Sequence, residues 1–290
     1  MKQKICRIRD EDENMNNEFA VAISVYYNDC AEYVKRALES IWDAQTVKPT
    51  QIVLVVDGPV GQDILDTIKE FEQHCPVLKV VQLAQNAGSG NAMRVAMDVV
   101  DCELIARMDS DDVSAPTRFE EQLNFFAAHP EVDVMGGDIS EFVGEEENIV
   151  AYRRVPATDA EIKNYMRKRC PLNHVTVMFK KSAVLEAGGY IEQFWNEDYY
   201  LWIRMAEHGA IMANTCTVLV NVRTGQDMYS RRGGKKYFKS EMFLQNYMLQ
   251  RKMISMPTYV DNIAKRWVVQ RLLPTQLRGL VFRTFARKGN

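Results

Sequence analysis

Several common sequence signals are missing from this chain of 290 residues. No run of about 18 apolar residues occurs, so we expect no membrane-spanning helix. The six cysteines include no CxxC pair, which disfavours a zinc site or a disulfide framework and favours reduced thiols in the cytosol. The first 18 residues are polar and charged and lack the apolar stretch of a signal peptide. We expect them to form a leader outside the core.

Two nucleotide-binding signatures are missing as well. The loop 85–91 is rich in small residues, but it has neither the GxGxxG spacing of dinucleotide-binding proteins nor the lysine of a phosphate-binding loop. A dehydrogenase and an ATPase are therefore disfavoured. The loop does open a predicted helix, whose first backbone N–H groups suit an anion, and Arg94 lies about one turn into that helix.

Charge is distributed unevenly along the chain. The net charge is −3, yet the stretch from Arg231 onward holds 14 Lys and Arg against only Glu241 and Asp261, which gives +12 there and leaves −15 for the remainder. Bulky apolar residues, among them Trp267 and Leu272, alternate with these basic residues. This mixture favours helices at an anionic membrane surface over a nucleic-acid partner. A basic helix that simply packs against the rest of the protein remains the alternative.

Strand and helix patterns alternate over the first half of the chain. Short apolar runs rich in strand-forming residues begin at Phe19, Gln51, Leu78 and Leu104, and the segments between them have helical spacing of apolar residues. Repeated β-α-β units predict an α/β fold with a Rossmann-like, mainly parallel sheet flanked by helices. We divide the chain into a leader (1–18), a catalytic domain (19–228, with halves 19–135 and 136–228) and a basic, amphipathic helical C-terminal region (229–290).

Three carboxylates follow the fourth predicted strand. Asp109, Asp111 and Asp112 would lie at the open edge of the sheet, where α/β proteins bind ligands. Clustered carboxylates repel each other unless a cation compensates them, and Mg²⁺ or Mn²⁺ commonly bridges such groups to a diphosphate. An ordinary turn that caps the next helix, with Ser114 and Pro116, is the competing interpretation.

Asp57 and Tyr26 end the second and first predicted strands, at the same edge of the sheet. A carboxylate that accepts a hydrogen bond from a ring N–H, next to an aromatic face, would suit a nucleobase. Asp57 could equally be a turn residue before Gly58.

Glu197 and Asp198 begin a predicted helix. Asp198 shares a helical face with Trp202 and Met205, whereas Glu197 points elsewhere. Partial burial would make Asp198 a positioned carboxylate able to take a proton. Alternatively, both acids only complement the helix dipole.

Eight segments in this order resemble the GT-A glycosyltransferases of family 2 over about residues 19 to 225. They are Ser24–Tyr26, Gln45–Pro49, Ile52–Gly58, Asn86–Gly88 with Arg94, Asp109–Glu120, Asn173–Phe179, Gly188–Tyr190 and Glu197–Arg204.

The resemblance implies a nucleotide-diphosphosugar donor, a divalent cation at the DxD motif and inversion at the anomeric carbon. By this analogy Asp198 is the base that deprotonates the acceptor, Glu197 is the alternative base, and His174 is either a ligand-contacting or a structural residue. The donor and metal residues that the resemblance implies are Tyr26 and Asp57 for uracil, Asn86 and Arg94 for the nucleotide, Asp109 for the ribose or sugar, and Asp111, with Asp109, for Mn²⁺ or Mg²⁺. Ser24, which stands where the family commonly has Pro, is included among the donor-binding residues.

Together with the basic C-terminal region and the missing signal peptide, the resemblance implies a cytoplasmic enzyme, peripheral on the inner face of the plasma membrane. It would transfer a hexose or N-acetylhexosamine from a UDP-sugar to a saccharide acceptor on undecaprenyl diphosphate, in O-antigen or capsule synthesis. A non-catalytic nucleotide-sugar-binding module is the alternative, disfavoured because both carboxylate sites are present. A nucleotidyltransferase would carry a Gly-rich loop with Lys or Arg after the first strand, where this chain has Tyr26 to Cys30.

Overall fold

A computed structural model describes residues 18–225 and 234–272. The described chain forms one nine-stranded sheet with helices on both faces. The strands are β1 (Phe19–Val25), β2 (Gln51–Val56), β3 (Leu78–Gln82), β4 (Leu104–Asp109), β5 (Val113–Ser114), β6 (Val134–Phe142), β7 (Ile149–Arg153), β8 (Met178–Lys180) and β9 (Met212–Arg223). The helices are α1 (Ala31–Ile41), α2 (Gln62–Glu72), α3 (Ser89–Val99), α4 (Arg118–Ala128), α5 (Asp159–Met166), α6 (Lys181–Glu186), α7 (Glu197–Glu207), α8 (Gly234–Gln250) and α9 (Met256–Trp267).

The first four strands are parallel, and this confirms the predicted α/β fold. Strand β1 pairs with β2 on one side and with β4 on the other, and β3 extends the sheet beyond β2. The order β3-β2-β1-β4 places the carboxyl ends of β1, β2 and β4 side by side. In open α/β sheets, ligands bind outside these strand ends.

The second half of the chain adds antiparallel pairs to this parallel core. Strand β8 runs antiparallel between β4 and β6, while β6 pairs in parallel with the long strand β9. The acidic turn near 144–148 connects β6 to β7, an antiparallel pair. Strand β5 pairs with the end of β9, so the segment after Asp109–Asp112 is tied to the second half of the chain.

Alternating residues of β1 pack into two apolar layers. Val21 and Ile23 face α1, α2 and α4, whereas Ala20 and Ala22 face α3, α5 and α7. This alternation follows from the two-residue period of a strand. Because both faces are covered, nearly every residue of β1 is buried, and all of its residues except Ser24 are apolar.

The C-terminal helices α8 and α9 pack against the sheet-bearing part of the chain. Leu244 and Met248 of α8 are completely buried in the same apolar layer as α3 and α7. A largely buried ion pair joins Glu241 of α8 to Arg266 of α9. Arg266 also donates a hydrogen bond to a backbone carbonyl oxygen just after α5. The division at residue 228 stays a prediction, since it falls among residues outside the described ranges.

A π-helical turn (Val268–Leu272) continues α9. Across the described part of the chain, no helix combines the length and apolar character needed to cross a bilayer.

The burial of α8 predicts a large cost for opening a cavity there. Leu244→Ala should lower the free energy of unfolding by about 2–5 kcal/mol in urea denaturation, because both the lost apolar contact and the cavity contribute. Lys239→Ala, an exposed position on the same helix, should change it by less than about 0.5 kcal/mol. Equal stability of the two variants would contradict the packing of α8 in the core.

Candidate active site

The ends of β1 and β4 bring Ser24 directly opposite Asp109. The two residues are partners in the parallel β1–β4 register. Ser24 is partly exposed, whereas the residues before it in β1 are buried. Asp57 follows β2, which is the other neighbour of β1. The three residues therefore lie at one edge, as the sequence pattern predicted for Asp57 and Asp109.

The three carboxylates after β4 have different surroundings. Asp109 forms an ion pair with the buried Arg107. Asp112 is buried and accepts a hydrogen bond from the backbone N–H of Arg223, 2.8 Å away. Asp111 is exposed, and no ion pair joins it to a described cationic side chain.

Asp111 and Asp112 both resist ionisation. Desolvation, reinforced by the negative charges of Asp109 and Asp29, raises the pKa of Asp111 to about 6. Desolvation and the charges of Asp111 and Asp109 raise the pKa of Asp112 well above its usual range. A carboxylate such as that of Asp111, which has no ion-pair partner among the described residues, fits a hard divalent cation. In residues 18–225 and 234–272, however, no three His, Cys, Asp or Glu side chains are grouped so that they could hold a metal alone.

A fourth carboxylate, Asp29, joins this cluster and was missed by the sequence reasoning. Its Oδ2 accepts hydrogen bonds from Ser110 Oγ at 2.7 Å and from the backbone N–H of Tyr26 at 3.0 Å. Desolvation is the main reason that its pKa is raised, and the charge of Asp109 adds to this. Its position four residues after β1 was the available signal, because that strand ends at the same edge.

Two buried arginines, Arg107 and Arg118, lie next to this carboxylate cluster. Arg118 is fully buried and donates a hydrogen bond to the backbone carbonyl of Arg107 at 2.7 Å. Burial, together with the positive charge of Arg107, lowers the pKa of Arg118 to about 9. The Arg118 side chain therefore fixes the backbone that carries Asp109. In the sequence, Arg118 is only part of the segment Asp109–Glu120, and no role of its own was predicted for it.

Asp57 organises the loop that follows β3. Its carboxylate accepts hydrogen bonds from Asn86 Nδ2 at 3.0 Å and from the backbone N–H groups of Ala87 and Gly88 at 2.7 and 3.1 Å. Gly58 makes this approach possible, since a Cβ atom there would lie 2.5 Å from the backbone nitrogen of Asn86. The structure thus joins two of the predicted donor-binding residues, Asp57 and Asn86.

The remaining predicted donor residues differ in their positions. Tyr26 is partly buried, and its ring meets that of Tyr27 edge-on with centroids 5.4 Å apart. Arg94 is exposed, and its guanidinium pairs at 3.6 Å with Asp98, one turn further along α3. The geometry does not join Arg94 to the other residues, and its role stays a prediction.

Glu197 and Asp198 form the first turn of α7. Desolvation and the charge of Asp198 raise the pKa of Glu197 to about 7. Desolvation also raises the pKa of Asp198, although its own helix backbone and Arg153 act in the opposite direction. Both carboxyl groups are electrostatically coupled to Arg107, which also pairs with Asp109. The start of α7 also lies against the start of α3, since a Cβ atom at Gly90 would lie 3.2 Å from the Cβ atom of Glu197.

Cys170 is a further neighbour of Asp198 that sequence reasoning missed. Its Sγ lies 3.6 Å from Asp198 Oδ2. Burial raises the pKa of the Cys170 thiol well above its usual range, so the thiol keeps its proton. It can therefore donate a weak hydrogen bond to the carboxylate.

His174 is held by aromatic neighbours. Its Nε2 lies 2.9 Å from the hydroxyl oxygen of Tyr190, and its ring packs against those of Tyr190 and Trp202. Burial, with a contribution from the charge of Arg107, lowers the pKa of His174 well below its usual range. Because its imidazole is neutral and packed against aromatic rings, a structural role for His174 is favoured over contact with a ligand.

The comparisons with known proteins agree with this geometry. The model of the family "Glycosyl transferase family 2" matches residues 21–190. An uncharacterized glycosyltransferase of Haemophilus influenzae is 40% identical over 93% of this chain and 100% of its own length. The amylovoran biosynthesis glycosyltransferase AmsE of Erwinia amylovora is 36% identical over 81% of this chain and 86% of its own. A UDP-Gal:alpha-D-GlcNAc-diphosphoundecaprenol beta-1,3-galactosyltransferase of Escherichia coli is 31% identical over 93% and 97%.

Two solved structures share the fold. S. aureus TarS 1–349 in complex with UDP-GlcNAc has a TM-score of 0.62 at 17% identity, over 87% of this chain and 72% of that one. A mannosyltransferase from Pyrobaculum calidifontis in complex with GDP-Man and Mn²⁺ also has a TM-score of 0.62, at 15% identity over 93% and 75%. With the family match and the relatives above 30% identity, these findings show that the chain belongs to glycosyl transferase family 2 and is a glycosyltransferase.

Proposed function

We propose that this glycosyltransferase is inverting and metal-dependent and moves a hexose or N-acetylhexosamine from a UDP-sugar to a lipid-diphosphate-linked saccharide in bacterial O-antigen or capsule synthesis. The observation that carries the proposal is that the start of α7 lies beside the loop that Asp57 organises. A Cβ atom at Gly90 would lie 3.2 Å from the Cβ atom of Glu197, and Arg107, which pairs with Asp109, is electrostatically coupled to Glu197 and Asp198. Direct transfer of a sugar from donor to acceptor needs a donor site and a general base that lie close together.

The donor would bind at the ends of β1 and β2. Asp57 accepts three hydrogen bonds in its own loop, and a carboxylate offers about four lone-pair sites. One site is left for the N–H of a uracil ring, beside Tyr26. The named complexes of TarS with UDP-GlcNAc and of the mannosyltransferase with GDP-Man support a nucleotide-sugar donor.

Asp111, with Asp109, would hold Mn²⁺ or Mg²⁺. Because the described residues include no complete set of metal ligands, the diphosphate of the donor would supply the remaining oxygen atoms. When bound, the ion would stabilise the negative charge that develops on the leaving diphosphate. The Mn²⁺ in the mannosyltransferase complex supports this assignment.

Asp198 would act as the general base. It would take the proton from the attacking hydroxyl of the acceptor as that oxygen bonds to the anomeric carbon and the diphosphate leaves from the opposite face. A single displacement of this kind inverts the anomeric configuration. The protonated Cys170 thiol would hold Asp198 Oδ2 in place.

The acceptor proposal rests on the E. coli relative, whose name states a GlcNAc-diphosphoundecaprenol acceptor. An enzyme that acts on a lipid-linked sugar works at a membrane surface, and α9 offers a surface for this. One side of α9 and of the turn after it carries exposed apolar residues at spacings of four, four, three and one. They are Met256, Val260, Ala264, Trp267 and Val268, and we call them the α9 stripe.

The basic residues near the α9 stripe fit an anionic surface. Lys265 of α9 and Lys252 just before it are exposed. Leu272 was assigned to the same membrane contact from the sequence, and its side chain lies outside the described residues. An apolar stripe with flanking cations is typical of a helix that lies in the membrane interface.

We expect Asp111→Asn to lower kcat by about 10²-fold or more, because the leaving diphosphate then lacks a bound cation. Mn²⁺ affinity in the presence of UDP, measured by calorimetry, should fall in parallel. Asp112→Asn is the contrast: its carboxylate binds the backbone of Arg223, so that variant should lose thermal stability and keep more of its Mn²⁺ affinity. Undiminished activity of Asp111→Asn in excess EDTA would rule out the metal site.

Asp198→Asn should lower kcat by roughly 10²–10⁴-fold with little change in KM for the UDP-sugar, because the shape is kept and the proton acceptor is lost. Glu197→Gln should retain more activity. In the wild-type enzyme, kcat/KM should fall as the pH drops below about 7, where the Glu197–Asp198 pair takes up a proton. If Asp198→Asn were active and Glu197→Gln inactive, Glu197 would be the base in place of Asp198.

The membrane proposal is best tested by substitution, because removing the chain from residue 226 onward would expose the core that α8 covers. Val260→Glu with Trp267→Glu should abolish flotation with vesicles of anionic phospholipid while donor hydrolysis continues. Leu185→Glu, which also replaces an exposed apolar residue but lies on α6, should float like the wild type. High salt should weaken wild-type binding without abolishing it, since only the charge contribution is screened. Equal flotation of all variants would remove the α9 stripe from the proposal.

A further inference from the structure

Two stacked aromatic rings lie on the surface segment just before α7. The rings of Phe194 and Trp195 are nearly parallel, at 10°, with centroids 4.9 Å apart. The residue Trp195 is 46% exposed. A large apolar ring that is stacked on one neighbour and still exposed to water can bind a second flat partner.

The backbone at Trp195 has an unusual conformation. Its φ is +53°, and Lys252 is the only other non-glycine residue of the described chain with a positive φ. A bulky side chain is disfavoured in this left-handed region, where Gly or Asn is normally found. Such strain persists only where the surrounding structure imposes it, and it is concentrated at functional sites.

The surroundings of Trp195 fix this conformation. The side-chain amides of Gln193 and Asn196 each donate a hydrogen bond to the hydroxyl of Ser240, at 3.1 and 3.0 Å. Ser240 is itself buried in α8. The Lys236 ammonium lies 3.9 Å from the centroid of the Phe194 ring. Residues of α8 therefore hold the segment that carries Phe194 and Trp195 in place.

The segment connects the two halves of the active site. Glu192 borders the loop at the start of α3, since a Cβ atom at Gly88 or Gly90 would lie within 3.0 Å of its carboxylate. At the other end of the segment, Asn196 precedes the catalytic pair in α7. Asp198 is three positions after Trp195, so their Cα atoms are at most roughly 11 Å apart.

We propose that the exposed ring of Trp195 is the platform on which the pyranose ring of the acceptor sugar stacks. A pyranose has one face lined by C–H groups, whose weakly positive hydrogens are attracted to the negative face of an indole. Its hydroxyl groups point outward from the rim. Stacking on Trp195 would therefore direct a hydroxyl towards the nearby carboxylate that deprotonates it.

This inference rests on the proposed function, because it assigns the platform to the acceptor of that reaction. A contact of Trp195 with an anionic membrane is disfavoured, since Glu192 and Glu197 lie in the same short segment. An apolar surface between two acidic residues suits a neutral sugar ring better than phospholipid headgroups.

The test compares three forms of the full-length chain: wild type, Trp195→Asn and Trp195→Phe. Asn tolerates the positive φ, so that variant should lose the ring without a decrease in Tm. The probes are α-linked sugar diphosphates of GlcNAc, GalNAc, Glc and Gal that carry a short alkyl chain, assayed with UDP-sugars. For the probe that the wild type accepts as a substrate, Trp195→Asn should raise the KM of that probe about tenfold or more. Trp195→Phe should keep this KM within about threefold of the wild-type value.

Donor hydrolysis and the KM for the UDP-sugar should be unchanged in both variants. Leu65→Ala, which removes an exposed apolar side chain from α2, is the matched control and should alter neither KM. If Trp195→Asn kept the wild-type KM for the acceptor, the proposed role of Trp195 would be wrong, whereas the proposed transferase function would be unaffected. A joint loss of Tm, donor hydrolysis and transfer would assign Trp195 a structural role and would overturn the platform too.

Saturation-transfer NMR with the same probes separates this inference from the proposed function, because it needs no turnover. The wild type should give signals on the ring protons of one sugar, and Trp195→Asn should lose them. Equal signals from both proteins, or no sugar signal from the wild type, would overturn the platform. A wild-type enzyme that bound the sugar through Trp195 but transferred nothing would instead contradict the proposed reaction.

Discussion

The site depends on one problem of charge compensation: many carboxylates lie around a single buried guanidinium. Arg107 pairs with Asp109 and lowers the pKa of Asp111 and of the pair in α7. A second buried arginine, Arg118, binds the backbone of Arg107 and adds no ion pair of its own. Desolvation is the main reason that the pKa values of Asp111 and Glu197 are raised, and the negative charges of their acidic neighbours add to it, since one cation does not neutralise this many acids.

The strand order determines which acids meet. Parallel strands with crossover helices bring their carboxyl ends to one edge, so residues 24, 57 and 109 become neighbours although they are far apart in the chain. The antiparallel additions then tie this edge to the second half of the protein. Arg223, at the end of β9, binds Asp112 through its backbone and the carbonyl oxygen of Asp111 through its side chain, while its guanidinium lies 3.8 Å from the centroid of the Tyr33 ring. The edge that carries these carboxylates is thus shaped by residues that are far apart in the chain.

Local patterns predicted the parts of this arrangement that depend on short-range order. Apolar runs and helical spacing were enough for the first four strands and their helices, and strand ends placed Asp57 and Asp109. Other features depend on contacts between distant segments. The partnership of Asp29 with Ser110, that of Cys170 with Asp198 and the strained backbone of Trp195 leave no periodic trace in the sequence. Net charge was also a poor guide to α8, because its basic residues lie on the exposed side while Leu244 and Met248 complete the core.

The position of α8 has a consequence for how the protein is made. Its buried leucine and methionine complete the apolar layer formed by α3 and α7, yet α8 follows every described strand in the chain. During synthesis, domains fold as units once their residues have left the ribosome. The layer beneath Glu197 and Asp198 can therefore close only after every described strand of the sheet has been translated. The α9 stripe emerges later still, so this exposed apolar surface forms only when the residues of the sheet are already available to fold.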